Sequence, residues 1–392
     1  MGYTFAREFI TKEVVESSDS QTKTIELPKS GIINKLLLKL KATNGTTSNT
    51  DNRLYTCISK VEVLGDSSEV ITSLTGAELH RLTWRYTKKF PACNYDESGS
   101  ATQTETFVIP FGRYDGDLKY GLNLAKYNRT DLRITYNLGT NTAVSATTAY
   151  ATGTFTHSVI AYRASADKGI NTVGFVKSHE VETWTTVSSG DYKTELPIGN
   201  RYKEIMVYAR EAGVADATDI TDVKLEVNSG EAILFSSRWT DLMDDNSDSL
   251  GIECESQGII YAANDADRYT MTGDIKQISI SLYSSQSAAV DIIVIPSIDT
   301  IAGDKFTTDI NYTDISSAGA YGFSAYTSSA KYFFKATGTT IGNCVFIPFD
   351  LAGNEELALD SSKYAKVEVV STQGGAGATA AVVIEEFKMY TR

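Results

Sequence analysis

The chain has 392 residues, a formal net charge of −13, 22 tyrosines, 6 prolines and 4 cysteines. That length holds two domains, each able to bury its own core, and the abundance of Thr, Ser, Val, Ile and Tyr favours strands. No run reaches the ~18 apolar residues of a membrane span, no apolar signal-peptide stretch opens the sequence, and Ala6 stands where a myristoylation signal needs Ser or Thr.

Residues 1–22 read as an arm. Tyr3, Phe5, Phe9 and Ile10 interleave with Arg7, Glu8, Lys12 and Glu13 before a polar ESSDSQTK run. Two readings stand: an amphipathic segment docking on a partner through Phe5, Arg7, Phe9 and Lys12, or a frayed terminus. Residues 23–165 then give strand-like runs at 32–41, 55–64 and 69–74. In the second of these, alternation of Ile58, Lys60 and Glu62 with Val61 and Val63 marks a half-buried strand. A turn at 65–68 follows. Thr75 and Glu78 then form a capping box, and Leu79, Leu82 and Tyr86 share one helix face. More strands are expected at 105–110, 132–138 and 154–163, with a polar loop at 139–153.

A linker is expected over 166–192, with a further strand candidate at 181–187. The second module, 193–392, repeats the plan: strands at 202–210, 222–227 and 232–235, a short helix around 238–243, and closing strands at 346–348, 365–370 and 380–387. The GGAGATA stretch at 374–380 is a hairpin connection, because neither a Walker pattern nor a following helix is present.

The two modules share landmarks in order. IELP at 25–28 returns as TELP at 194–197, KVEV at 60–63 as KLEV at 224–227, VIPFG at 108–112 as FIPFD at 346–350, and LAKYNRTDLRI at 124–134 as LDSSKYAKVEV at 359–369. The offsets are 169 for Pro28, 164 for Lys60, 238 for Pro110 and 237 for Tyr127. Copy two therefore gains 74 residues, the difference between 238 and 164, within about 250–344. A repeat this long is a domain, since solenoid units run roughly 20–50 residues. The insertion has its own strand-like stretches at 275–282 and 290–296. The expected architecture is all-β: two tandem jelly-roll sandwiches with short helices and a strand-bearing insertion in the second.

Charge is unevenly placed. Residues 1–192 carry 21 basic and 20 acidic side chains, and residues 193–392 carry 15 and 29. The acidic half argues against a phosphate-binding face there and against sequence-specific nucleic-acid binding. Cys57, Cys93, Cys254 and Cys344 are too sparse for a disulfide framework or a zinc site.

No enzymatic motif holds together. Gly65-Asp66-Ser67 imitates an esterase nucleophile turn, but His80, His157 and His179 include no partner in the expected position. Asp241, Asp244, Asp245 and Asp248 fit either a helix end running into an acidic loop or a hard-cation site, although the calcium-loop spacing is absent. The acceptor patterns at Asn44, Asn128 and Asn311 are expected by chance in a Thr-rich chain. No catalytic residue, cofactor or metal ligand is assigned.

With the tandem modules, the segment KVEVLGDSSEVITSLTGAELHRL at 60–82 and the 110–136 stretch with its echo at 348–370, the chain resembles the double jelly-roll major capsid proteins of tailless icosahedral viruses. The resemblance implies a structural subunit of a virion, forming homotrimeric capsomers of pseudo-hexagonal outline. Its implied partners are itself, neighbouring capsomers, and an internal membrane or minor capsid proteins on the arm side; host surface glycans are a further partner class. The alternative is a carbohydrate-binding or adhesin-like pair of β-sandwiches, with 321–326 and 332–334 as tyrosine-rich sugar platforms.

Overall fold

The computed structural model describes residues 5–46, 49, 53–139, 150–164, 170–250, 254–261, 267–282, 295–311, 331–350 and 354–390. Strands come first in chain order as β1 (Ala6–Val15), β2 (Ser20–Glu26), β3 (Ile32–Thr43), β4 (Ile58–Gly65) and β5 (Glu69–Leu74). Helix α1 (Gly76–Thr87) follows, then β6 (Thr102–Pro110), β7 (Leu122–Asn123), β8 (Thr130–Asn137) and β9 (Thr156–Ala164). They build a first jelly roll from two sheets, β1-β9-β3-β6 and β2-β8-β4-β5. Alternate residues point inward, so Leu36, Leu38 and Leu40 meet Val61, Val63, Leu132 and Ile134 in one core.

The second roll repeats this. It contains β10 (Gly174–Thr185), β11 (Gly190–Glu195), β12 (Arg201–Arg210), α2 (Asp216–Asp219), β13 (Ile220–Val227), β14 (Ala232–Arg238) and α3 (Trp239–Leu250). Its sheets are β10-β24-β12-β21 and β11-β23-β13-β14, where β21 is Cys344–Pro348, β23 Val367–Gln373 and β24 Thr379–Met389. A two-residue β22 (Leu359–Asp360) pairs with β12 as β7 pairs with β3. Between α3 and β21 lie β15 (Cys254–Tyr261), β16 (Asp267–Tyr269), β17 (Ile275–Leu282), β18 (Ile295–Ala302), β19 (Lys305–Asn311) and β20 (Lys331–Gly338).

The repeat extends to single hydrogen bonds. Thr83 Oγ1 in α1 accepts from Val108 N at 2.9 Å, and Asn246 Oδ1 in α3 accepts from Phe346 N at 2.6 Å. Asp66 Oδ1 accepts from Asn128 N at 2.8 Å, and Asn228 Oδ1 accepts from Ala365 N at 3.0 Å. Each pair joins equivalent strands through different side chains. A shared backbone requirement has thus been met twice by unlike residues.

Several expectations need correction. Residues 6–15 are not an arm but the edge strand β1, paired antiparallel with β9 from Ala6 opposite Arg163 to Val15 opposite Thr156. Most of the expected linker is likewise β10 and the start of β11, with β10 paired to β24 along its whole length. The rolls therefore open at residues 6 and 174, which completes eight long strands in each. The KVEV–KLEV match is also two residues out of register. Lys60 lies opposite Thr135, and the residue opposite the equivalent Thr372 is Asp222, not Lys224. A slip of two keeps every side chain on its face, so the alternation in the sequence could not reveal it.

The capping box is present: Glu78 N donates to Thr75 Oγ1 at 3.2 Å and Thr75 N donates to Glu78 Oε2 at 2.7 Å. The insertion lies outside the sheets of both rolls, as expected, and forms two three-stranded sheets, β15-β20-β17 and β16-β19-β18. Its small core of Ile260, Phe306, Tyr332, Phe334 and Ala336 includes Tyr95 from the α1–β6 connection of the first roll. Arg268 pairs with buried Glu97 at 3.2 Å, and Arg210 pairs with Asp304 at 2.6 Å. The insertion is thereby anchored to both rolls. The 374–378 stretch joins β23 to β24, which lie in different sheets of the second roll, so it crosses between the sheets and is not the hairpin that the sequence suggested.

Candidate assembly surface

A network of buried charged side chains lies where the two rolls meet. Strand β5 pairs in parallel with β10, Thr72 opposite Ser178 and Ser73 opposite His179, which fuses one sheet of each roll into a single sheet. Above this junction α1 lies on the outer face of the second roll. Met206, Tyr208, Phe346 and Val383 are buried there in the same cluster as the first roll's core. Trp84 stands 6.2 Å from Phe346 between ring centroids.

Charged groups cross the same seam. Arg81 donates to the Gly342 carbonyl at 3.0 and 2.6 Å and lies 4.0 Å over the Tyr208 ring. Arg85 donates to Glu204 Oε2 at 2.8 Å. Lys203 pairs with Glu385, whose other oxygen accepts from Ser178 Oγ at 2.9 Å. Burial alone would raise the Glu204 carboxyl, but Arg85 and Lys203 hold it down to about 2. Burial raises Glu385 above the usual range, with Lys203 opposing and Glu204 adding. The sequence carried a signal for this site in charged pairs set inside apolar strands, Lys203-Glu204 in YKEIMV and Glu385-Glu386 in VVIEEF.

Burial, reinforced by Glu180 from β10, pushes the Glu78 carboxyl from its ordinary 4.5 up to about 8. The neutral acid is thus favoured in the folded chain. Its stabilisation is complete below the ordinary value and is lost as pH rises through about 8. The melting temperature of Glu78→Gln, which keeps the cap, is expected to vary less between pH 5 and 9 than that of the native chain. Parallel melting curves for the two proteins would exclude a shared proton at this seam.

The residues singled out from the sequence fall in several places. Phe9 is 47% exposed on β1, with Arg7 and Lys12 at 5.5 and 5.8 Å from its ring centroid; Phe5 precedes the strand, half-buried. Asp241, Asp244, Asp245 and Asp248 are exposed on α3, which continues to residue 250, so the cluster is a helix face rather than a loop. Asp241 pairs with Arg238 at 2.8 Å. Among the described residues no group of His, Cys, Asp or Glu side chains is arranged to hold a metal ion. Ser67 occupies a left-handed turn position, and Asp66 is used in tying that turn to the β7–β8 connection. The histidines are structural: His80 meets Glu105 at 3.1 Å, His157 meets Glu16 at 2.9 Å, and burial lowers His179 to about 4. Burial pushes the Cys57 and Cys344 thiols up to about 12, which makes them poor nucleophiles. Tyr332 and Phe334 are buried in the insertion's core, where they offer no sugar platform; 321–326 lies outside the described residues. A cleft of about 800 Å³ opens beside the seam, lined by side chains of both charges, among them Lys35, Arg85, Lys203, Asp115, Glu204 and Glu385.

No family model matches the chain, and no curated protein matches its sequence. Solved structures do share its fold. The STIV MCP has a TM-score of 0.58 at 12% identity, covering 97% of this chain and 95% of that one. A chain from the atomic structure of Sulfolobus turreted icosahedral virus gives 0.59 at 12%, covering 98% and 90%. The major capsid protein P2 of bacteriophage PM2 gives 0.53 at 10%, covering 99% of each. The common feature is the double jelly roll along the whole chain.

Proposed function

We propose that the protein is a major capsid protein, the structural subunit of an icosahedral virion, assembled as homotrimeric capsomers of pseudo-hexagonal outline. The observation that carries this reading is the pair of eight-stranded rolls with equivalent connections in one chain, the fold shared with viral major capsid proteins. Three chains would then contribute six similar rolls, a ring in which every contact is heterologous and the symmetry closes. Growth in the α3–β21 connection leaves the rolls' sheets unaltered, which suits a feature standing out from a shell. The role is structural and non-catalytic, and the partners are further copies of the chain, neighbouring capsomers, and the membrane or minor proteins of the particle.

Sedimentation of the purified protein at micromolar concentration is expected to give three times the chain mass. Each obligate interface in such a trimer should bury about 2,000 Å² or more. A monomer at every concentration would overturn the reading.

A further inference from the structure

The chain holds one complete contact between rolls and leaves both halves of an equivalent contact open. We infer that a second copy of the chain closes them: β14 and α3 of one copy dock on β1 and β3 of the next, as β5 and α1 dock on β10 and β12 within the chain. This rests on the assembly reading above, and it specifies which edges meet, in which direction and in what register.

The equivalences follow from pairing partners. Val63 faces Thr72 just before a bulge in the β4–β5 ladder, and Leu225 faces Phe235 just before a bulge in the β13–β14 ladder. Thr72 and Ser73 therefore correspond to Phe235 and Ser236. Lys35 faces Pro110 and Tyr162, and Glu204 faces Pro348 and Glu385. Lys35 thus corresponds to Glu204, and Lys39, four residues on, to Tyr208. Arg7 faces Tyr162 as Ser178 faces Glu385, so Arg7 and Glu8 correspond to Ser178 and His179. Helices α1 and α3 have 12 residues each and make the same bond to β6 and β21. Arg81 and Arg85 therefore correspond to Asp244 and Asp248.

On the β5 and β14 edges apolar residues recur at equivalent positions, Val70 and Ile71 against Ile233 and Leu234, but their burial differs. On β5, Ile71 and Thr72 are fully buried. Their counterparts lie on an open edge, where Leu234 is 40% and the preceding Ile233 is 56% exposed while Phe235 packs against its own roll's core. An uncovered apolar edge strand is a ready template for further strand pairing. The other half is open too, with Phe9 half-exposed on β1 at the position that Glu180 holds on β10.

The charges are complementary and reversed. Within the chain a basic helix face, Arg81 and Arg85, meets Tyr208 and Glu204. In the open contact an acidic helix face, Asp244 and Asp248, would meet Lys39 and Lys35. Exposed Asp244, Asp248 and Lys39 await such partners. Lys35 now reaches Asp115 at 2.6 Å and lies 4.8 Å from the Tyr162 ring centroid. The reversal also rejects wrong pairings, since α1 on β3 would set Arg85 against Lys35 and α3 on β12 would set Asp248 against Glu204.

The parallel pairing of Ser73 with His179 places Ser236 of one copy beside Glu8 of the next. Full chains carrying Ser236→Cys and Glu8→Cys should oxidise to covalent multimers up to three chain masses on non-reducing gels. Ser236→Cys with Lys12→Cys should not, and neither should the native chain with its own cysteines. Asp244→Lys should cut the cross-linking rate at least tenfold, and Lys39→Glu in the same chain should restore it. A sedimenting trimer that cross-links no better than the control pair, or is indifferent to the charge exchange, overturns this contact while the capsomer reading stands. A monomer overturns both.

Discussion

Removing residues 2–16 is expected to lower the melting temperature by about 10 °C or more, with loss of soluble yield. The deletion takes away the whole of β1, whose ladder with β9 runs over seven paired positions. At a net ~0.5–1.5 kcal/mol per hydrogen bond, offset by the entropy of ordering ten residues, a loss near 5 kcal/mol is reasonable. That converts to roughly 2–4 °C per kcal/mol for domains of this size. The deletion also removes Glu16, which sits 2.9 Å from buried His157 and 2.8 Å from Lys23. Beyond these contacts, β9 would become a bare edge carrying Val159 and Ala161. A free arm makes the opposite prediction, an unchanged melting curve with assembly alone impaired. Thermal unfolding of the truncated and full chains separates the two.

The same strand shows where the sequence was legible and where it was not. Period-two alternation identified β3, β4, β6, β8 and β9, whose inward residues are fully buried. Strand β1 has no fully buried residue, because it is an edge, and two irregularities near Phe9 and Thr11 break its period. Glu13 even adopts a left-handed φ of 46° there. Strand β10 showed only in part, as the candidate at 181–187, for another reason. It lies in the seam, where Ser178 and His179 pair with β5 and Glu180 faces Glu78 of α1 rather than an apolar core, so its composition resembles a linker. Helix α3 was read too short because its acidic face suggested a loop, yet Leu242, Met243 and Asn246 bury its other side. The duplication was visible in short landmarks. The contact between the copies was not, because it depends on which charged residues face each other across two domains.

Glu204→Ala tests that seam directly and is expected to cost about 3–5 kcal/mol, the usual penalty for removing one member of a buried ion pair. The side chain is 3% exposed and accepts from Arg85 at 2.8 Å, with Lys203 at 3.8 Å. Without it Arg85 faces the Phe346 ring and the Lys203–Glu385 pair with no carboxylate of its own. The sign with pH follows from the depressed carboxyl. Glu204 titrates near 4.5 when unfolded and near 2 when folded, so its stabilisation is full above the first value and disappears as pH falls through the second. The melting curves of native and Glu204→Ala proteins should therefore converge between pH 4.5 and 2. Replacing Arg85 and Glu204 together by methionine should recover most of the loss at neutral pH, because the remaining Lys203–Glu385 pair is balanced and two buried charges have gone. A double replacement as damaging as the sum of the single ones would mean that the two side chains act independently. The seam would then be held by the apolar contact of α1 with Met206, Phe346 and Val383 alone.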